Sequence, residues 1–159
     1  MKKTNALRLL DQKKIVYETI TYTYDPDNLD LRYIAQENEL LISRIYKTLV
    51  LQGSHMPALV AVVAGDRLLN LKALAKVSGN KRVYMTAVKE LQALTGYIRG
   101  GCSPIGMKKP YPVFIDASAN ELDLMYVNAG IRGMLVGLSP QDLGMVCGAK
   151  IADIATLVV

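Results

Sequence analysis

The segment that most constrains how this chain can fold runs from Gly96 to Pro112 and reads GYIRGGCSPIGMKKPYP. It contains four of the chain's twelve glycines and three of its six prolines. Glycine permits a positive φ and the close approach of a ligand, whereas proline fixes φ and removes a backbone donor. We therefore expect an irregular loop here, which is either a surface crossover or the wall of a ligand site.

Hydrophobic periodicity outside this loop predicts a mixture of helices and strands. β-Branched and aromatic residues predict strands over residues 15–24, 46–51, 58–64, 82–85, 113–116, 124–128 and 133–137, and a final strand or turn over 150–157. Periodicity and capping residues predict helices over 5–13, 29–40, 71–77 and 87–94, a helical turn near Ser118, and a last helix after Ser139. This order predicts one domain over residues 1–159 of the α/β (α+β) class, with a mixed, barrel-like β-sheet surrounded by helices.

The composition excludes several classes of protein. No apolar run is long enough to span a bilayer, and the basic N-terminus lacks the apolar stretch of a signal peptide, so we expect a cytoplasmic protein. The only histidine is His55, and the two cysteines form no CxxC pair, so we expect neither a metal site nor a cofactor. The net charge of +5 is a mild bias toward polyanions and does not predict a nucleic-acid-binding arm.

Lys47 is the most unusual charged residue because it lies within the apolar strand pattern YKTLVL. Alternation of side chains along a strand places Lys47 on the same face as Leu49 and Leu51. A lysine on such a face either points into a pocket as a cation or extends its stem along apolar surface to reach solvent. Lys47 is therefore a candidate for a functional cation.

The loop contains a second set of candidate groups in the run Gly100-Gly101-Cys102-Ser103-Pro104. Its backbone N–H groups could donate to a carbonyl oxygen or a phosphate, although the run matches neither the Walker A sequence nor the dinucleotide fingerprint. Cys102 is either a nucleophile or a small buried hydrophobe. A histidine partner would have to be His55, which the pattern places at the tip of a hairpin.

Five short blocks carry a resemblance to a known family: KTLV (47–50), LNLKALAK (69–76), TGYIRGGCSPIGMKK (95–109), YVNAGIRG (126–133) and SPQDL (139–143). The sequence resembles the YbaK/EbsC family of aminoacyl-tRNA deacylases, which are relatives of the editing domain inserted in prolyl-tRNA synthetases. The blocks occur in the expected order and span essentially the whole chain. Their combination is specific, whereas no single block would be.

The resemblance implies an enzyme that removes the amino acid from mischarged tRNA, most typically cysteinyl-tRNA(Pro), with cysteinyl-tRNA(Cys) as a second substrate. It places the family's essential lysine at Lys47, its pocket tyrosine at Tyr22 and its GG-x-SP-x-G loop at Gly100–Gly106, with Thr48 beside the lysine. In cysteine-specific members the substrate's own thiol attacks the ester carbonyl, which gives a thiolactone and needs no protein nucleophile, metal or cofactor. The implied partners are the 3′ end of aminoacyl-tRNA and prolyl-tRNA synthetase.

Three positions depart from the family pattern and leave the substrate open. Cys102 stands where the family usually has an aliphatic residue, Asn128 where close relatives usually have serine, and Leu135 where some members are polar. Because these residues line or border the implied pocket, the edited amino acid could be cysteine, alanine or another small residue. Two other hypotheses also stay open: a non-catalytic tRNA- or synthetase-binding or regulatory module of the same fold, and a small-molecule thioesterase that uses Cys102.

Overall fold

The computed structural model describes residues 3–157, and within this range the chain forms five α-helices and ten β-strands. The helices are α1 (Asn5–Gln12), α2 (Leu31–Glu37), α3 (Leu71–Ser78), α4 (Val88–Thr95) and α5 (Pro140–Cys147). The strands are β1 (Glu18–Thr21), β2 (Tyr46–Gly53), β3 (Leu59–Ala64), β4 (Arg67–Leu69), β5 (Val83–Met85), β6 (Val113–Asp116), β7 (Met125–Asn128), β8 (Met134–Leu138), β9 (Lys150–Ala152) and β10 (Ala155–Leu157). Two short 3₁₀ turns cover Ile42–Arg44 and Ala117–Glu121.

The central sheet has five strands in the order β5-β2-β3-β6-β9. Strands β2 and β3 form an antiparallel hairpin, whereas β6 lies parallel to β3 and β9 lies parallel to β6. This sheet is therefore mixed, which confirms the fold class predicted from the sequence.

The other strands form two smaller antiparallel sheets, β1-β8-β7 and β10-β4. An isolated parallel bridge between Ile45 and Tyr126 connects the start of β2 to β7. Because β5 pairs only with Leu51–Gly53, the start of β2 is uncovered on that side, and there the five-stranded sheet meets the three-stranded sheet in a barrel-like arrangement. The same junction forms the wall of a cavity.

Both faces of the central sheet are buried, which explains the continuous apolar run in β3. Val60, Val62 and Ala64 pack into a large core with the three-stranded sheet, α1 and α5. The alternate residues Leu59, Ala61 and Val63 pack on the opposite face with α3. Since all six side chains are buried, β3 cannot show the polar and apolar alternation of a half-exposed strand.

Side-chain caps fix where several helices begin. Thr4 accepts a hydrogen bond from the Leu7 N–H and Ser139 accepts one from the Asp142 N–H, as the sequence predicts. Helix α2 is shorter than its predicted range because Asp30 caps it by accepting from the Arg32 N–H. No helix within residues 3–157 has the length and apolar character needed to cross a membrane.

Two regions differ from the predicted elements. The strand predicted over residues 15–24 ends at Thr21, because the next turn of chain is held by Asn38, which exchanges hydrogen bonds of 2.9 Å with the backbone N–H and carbonyl of Thr23. The final strand or turn is two short strands, β9 and β10, and β10 pairs with the unpredicted strand β4. A strand of three residues is too short to show a periodic pattern.

Candidate active site

A cavity of about 160 Å³ opens where β2 begins, β7 ends, and helix α2 approaches the Gly96–Pro112 loop. Within the described chain this loop contains neither helix nor strand, as its glycine and proline content predicts. The cavity is lined by six of the nine predicted site residues, namely Tyr22, Lys47, Thr48, Gly100, Cys102 and Asn128. Its other walls are Leu29, Leu31, Ile34, Ile45, Tyr46 and Leu135.

Lys47 is half-buried in this cavity, and its ammonium group donates a hydrogen bond of 2.8 Å to the carbonyl oxygen of Arg67 at the start of β4. Burial lowers the pKa of Lys47 below its ordinary value, and the nearby positive charge of Arg32 lowers it further. The carboxylates of Asp30 and Asp66 act in the opposite direction. Of the two alternatives for this lysine, the structure favours the pocket cation, and its protein partner lies on β4 and not on the loop.

Gly100 shapes the side of the loop that lines the cavity. Its φ of +82° and the hydrogen bond of 2.9 Å from the Gly101 N–H to the Ile98 carbonyl give a turn that favours glycine at this position. A Cβ atom on Gly100 would lie 3.0 Å from Leu29 and 3.2 Å from the Arg132 guanidinium. The absence of a side chain here therefore permits both the turn and its close packing.

The remaining predicted loop residues support the loop from behind and do not line the cavity. Gly101 takes part in the turn just described, and Ser103 is fully buried, with its hydroxyl accepting a hydrogen bond from the Ile105 N–H at 3.2 Å. The Pro104 carbonyl accepts from the Cys147 thiol at 3.4 Å. Tyr97 closes the loop from inside by donating to the Ile105 carbonyl at 2.6 Å.

Asn128 attaches the end of β7 to the loop. Its amide donates to the Gly100 carbonyl at 2.9 Å and to the Tyr22 hydroxyl at 3.4 Å, and its oxygen accepts from the Gly130 N–H at 2.7 Å. Burial raises the pKa of Tyr22, so its hydroxyl stays protonated near neutral pH and can donate to a ligand. One side chain therefore fixes the loop, the tyrosine and the turn after β7.

Some polar groups around the cavity lack hydrogen-bond partners within the described chain. The Thr48 hydroxyl oxygen is buried and has none. The backbone N–H of Cys102, a residue that lines the cavity, also donates to no backbone carbonyl among residues 3–157. Because buried polar groups are nearly always paired in folded proteins, these atoms mark a place where a ligand can supply acceptors.

The structure argues against Cys102 as a nucleophile. Its side chain is 8% exposed, and burial raises the pKa of its thiol to about 11, which disfavours the reactive thiolate. His55 lies exposed in the turn between β2 and β3, at the opposite end of β2 from Lys47. With residues rising about 3.3 Å each along a strand, the imidazole is too distant to activate the thiol.

The three apolar residues before and within α2 were not predicted to line the site. Leu29, Leu31 and Ile34 form one wall of the cavity, whereas the periodicity of this segment predicts only a buried helix face. No group of three or more histidine, cysteine, aspartate or glutamate side chains in residues 3–157 is arranged to hold a metal ion. The lining residues of the cavity carry one ammonium group, three hydroxyls, one thiol and one amide, beside the N–H groups of the loop.

Comparison with known proteins identifies relatives that are named for tRNA editing, deacylation or aminoacylation. Residues 26–144 match the family model described as the aminoacyl-tRNA editing domain. An Enterococcus faecalis protein named "Putative Cys-tRNA(Pro)/Cys-tRNA(Cys) deacylase EbsC" is 42% identical over 154 residues, which cover 97% of this chain and 94% of that protein. The proline–tRNA ligase of Pelobacter propionicus is 29% identical over 122 residues, which cover 70% of this chain and 21% of the ligase.

Solved structures share the fold. The structure titled "Crystal structure of hypothetical protein APE2540" aligns with a TM-score of 0.86 at 21% identity and covers 96% of this chain and all of that one. The structure titled "Crystal structure of a putative trans-editing enzyme for prolyl tRNA synthetase" aligns with a TM-score of 0.80 at 21% identity and covers 98% of this chain and 99% of that one. From the family match and the 42% identical relative, the chain belongs to the aminoacyl-tRNA editing domain family, in its YbaK/EbsC group.

Proposed function

We propose that this protein is a single-domain, cytoplasmic aminoacyl-tRNA deacylase whose first substrate is cysteinyl-tRNA(Pro), with cysteinyl-tRNA(Cys) as a second. The observation that carries the proposal is the position of Lys47, a cation that is half-buried in a small cavity. Gly100 and Cys102 of the Gly96–Pro112 loop line the same cavity. The relative that shares 42% identity is named as a deacylase of these two substrates.

The size of the cavity supports a small amino acid. Its volume of about 160 Å³ is close to that of an engineered protein cavity of about 150 Å³ that binds benzene. Leu31, Ile34 and Leu135 supply apolar walls, so the side chain that fits best is short and only weakly polar. Cysteine and alanine meet this description, and the thiol of a cysteine can contact the apolar side.

The polar groups fit the ester end of such a substrate. Lys47 is placed to bind the phosphate of the terminal nucleotide or the oxyanion that develops on the ester carbonyl. The N–H of Cys102, which donates to no backbone carbonyl in residues 3–157, is suited to bind the carbonyl oxygen, and Ser103 acts by holding the loop in shape. Tyr22, Thr48 and Asn128 complete the binding surface, and Gly101 and Pro104 act by holding the loop in shape.

We propose that cysteine is released by its own thiol. The substrate sulfur attacks the ester carbonyl carbon, a C–S bond forms, and the C–O bond to the terminal ribose breaks. The proton of the thiol passes to the ribose oxygen, so the products are cysteine thiolactone and free tRNA. The protein contributes positioning and charge stabilisation, which suits a site whose own cysteine is held as a neutral thiol.

We also propose that prolyl-tRNA synthetase supplies part of the tRNA selectivity. The proline–tRNA ligase relative contains a segment similar to 70% of this chain within a much longer protein. A net charge of +5 is modest, and phosphate contacts carry little sequence information. Addition of prolyl-tRNA synthetase should therefore raise the preference of the deacylase for tRNA(Pro) over tRNA(Cys).

The test measures deacylation of cysteinyl-, alanyl- and prolyl-tRNA(Pro) by the wild-type protein and by Lys47→Ala and Cys102→Ala. We expect cysteinyl-tRNA(Pro) to be cleaved fastest, Lys47→Ala to lose about 100-fold or more in rate with its thermal stability retained, and Cys102→Ala to stay active. Wild-type turnover by Lys47→Ala would refute the assignment of the lysine. Loss of activity only in Cys102→Ala would favour the thioesterase hypothesis, and no turnover of any substrate would favour the non-catalytic module.

A further inference from the structure

A second cavity lies directly behind the first. It has a volume of about 170 Å³ and is lined by eight residues, namely Ile20, Glu39, Leu40, Leu41, Arg44, Ile45, Tyr126 and Leu135. Ile45 and Leu135 line both cavities, so these two residues lie between them. The described chain thus contains two neighbouring spaces with a shared wall.

The three-stranded sheet explains why the division falls at Leu135. Ile20 on β1 lines the second cavity, and Tyr22, which follows the end of β1 directly and donates its backbone N–H to the Gly133 carbonyl, lines the first. On β7, Tyr126 and Asn128 are divided in the same way. Residues two positions apart lie on the same face of a strand, and Leu135 on β8 is paired with both Ile20 and Asn128. Leu135 therefore lies on the line between the two spaces.

The wall is a hydrophobic cluster separate from the two main cores. Its buried members are Ala35, Ile45 and Leu135, each exposed by 5% or less. Ala35 adds only a methyl group, and Ile45 also forms the backbone bridge that joins the two larger sheets. Leu135 is thus the largest part of the wall that can be shortened without removing that junction.

We propose that Leu135 sets the upper size limit on the aminoacyl side chain that the first cavity accepts. This inference rests on the proposed function, because it assigns the first cavity to the amino acid. With the leucine in place, a side chain too long for the first cavity meets the wall. With the leucine shortened to alanine, the two cavities join and the space roughly doubles. The additional volume is bounded by apolar groups of Ile20, Leu40 and Tyr126 and also by the charged residues Glu39 and Arg44.

Methionine is the best probe of the joined space. It is unbranched and flexible, so it can pass through the gap that the shortened side chain leaves. Its terminal methyl group would then contact Ile20 and Leu40 in the second cavity. One methylene gained in an apolar pocket changes discrimination by about 10- to 200-fold, so the effect is large enough to measure.

The experiment measures binding, so it does not depend on how the ester is cleaved. The ligands are RNA microhelices with the acceptor-stem sequence of tRNA(Pro), ending in CCA and carrying cysteine or methionine through a non-hydrolysable amide. We expect the wild-type protein to prefer the cysteinyl ligand by about tenfold or more, and Leu135→Ala to reduce that preference by about tenfold or more. Leu40→Ala is the matched control, since it enlarges only the second cavity and should keep the wild-type preference.

Each outcome discriminates between the two proposals. If the wild-type protein binds neither microhelix, the proposed function fails and the inference fails with it. If it prefers the cysteinyl ligand and Leu135→Ala keeps that preference, or Leu40→Ala relaxes it equally, the wall does not set the limit and only the inference fails. Should Leu135→Ala unfold, Leu135→Val removes only one methylene from the wall and must shift the preference for the cysteinyl ligand in the same direction. An unchanged preference in Leu135→Val overturns the inference.

Discussion

Replacing Asn128 by alanine tests whether the contact between β7 and the loop holds the site in its active shape. The side chain makes two short hydrogen bonds, one of 2.9 Å to the Gly100 carbonyl and one of 2.7 Å from the Gly130 N–H. Each such bond contributes about 0.5–1.5 kcal/mol net to stability. Loss of both should therefore lower the free energy of unfolding by about 1–3 kcal/mol.

The variant Asn128→Asp separates the two contacts because it keeps the shape of the side chain. A carboxylate oxygen can still accept from the Gly130 N–H, but an ionised carboxylate offers no donor to the Gly100 carbonyl and repels it. We expect the loop to move away from the cavity. A displacement of about 1 Å in a positioning group can reduce a rate by about 100-fold, so we expect kcat/KM for cysteinyl-tRNA(Pro) to fall by about 10- to 100-fold.

Three measurements check this expectation. Urea unfolding gives the stability loss, steady-state deacylation gives kcat/KM, and hydrogen exchange followed by mass spectrometry gives the protection of the peptide that contains Gly100–Gly106. In Asn128→Asp we expect faster exchange in that peptide together with slower turnover. Exchange and turnover both equal to the wild type would show that Asn128 only builds the turn before Gly130, and the reasoning would be refuted.

Three further predictions concern the two thiols and two glycines, one in a helix and one in a strand. Burial raises the pKa of Cys102 to about 11 and of Cys147 to about 12, from an ordinary value of 9.0, so iodoacetamide at pH 8 should alkylate the folded protein at least about 100-fold more slowly than the urea-unfolded chain. For the same reason the contribution of the buried Cys102 thiol to the free energy of unfolding is fully present below about pH 9 and is lost as the pH rises toward 11, because in this range the thiol ionises only in the unfolded chain. Urea unfolding at pH 7.5, 9 and 10 measures this loss. Gly144→Ala in α5 should raise the free energy of unfolding by about 1 kcal/mol, since alanine favours a helix and the added Cβ contacts nothing within 4 Å. Gly137→Ala in β8 should lower it, because the added Cβ would lie 2.6 Å from the Tyr126 ring. Thermal unfolding of both variants tests these two expectations.

The sequence identifies the parts of the site whose residue types are unusual for their local pattern. Lys47 is conspicuous because a charge interrupts an apolar strand, and the loop is conspicuous because glycine and proline cannot form a helix or an inner strand there. Both features lie at the cavity. The chain order of the resemblance blocks supports the same two positions, although no residue contact can be derived from it.

The parts that the sequence does not reveal are those whose residue types are ordinary. Leu31 and Ile34 follow the same periodicity whether their helix face packs on a core or lines a cavity, because periodicity reports which side is apolar and not what lies opposite it. The carbonyl oxygen of Arg67 is the acceptor for Lys47, and a backbone group carries no signature in the residue type. The wall at Leu135 depends on the pairing of strands that are distant in the chain.

The unpaired donors of the cavity indicate what a ligand must offer. An ammonium group has three N–H donors, and Lys47 uses one of them on the Arg67 carbonyl. The Thr48 hydroxyl and the N–H of Cys102 add further donors, since the hydroxyl has no partner and the N–H has no backbone acceptor within residues 3–157. A ligand that satisfies these groups must be rich in acceptor oxygens, and the ester carbonyl, ribose and phosphate at the 3′ end of an aminoacyl-tRNA provide such atoms next to a small side chain. In the proposed function, the donors would bind the nucleotide end of the substrate, and the apolar wall would bind the amino acid.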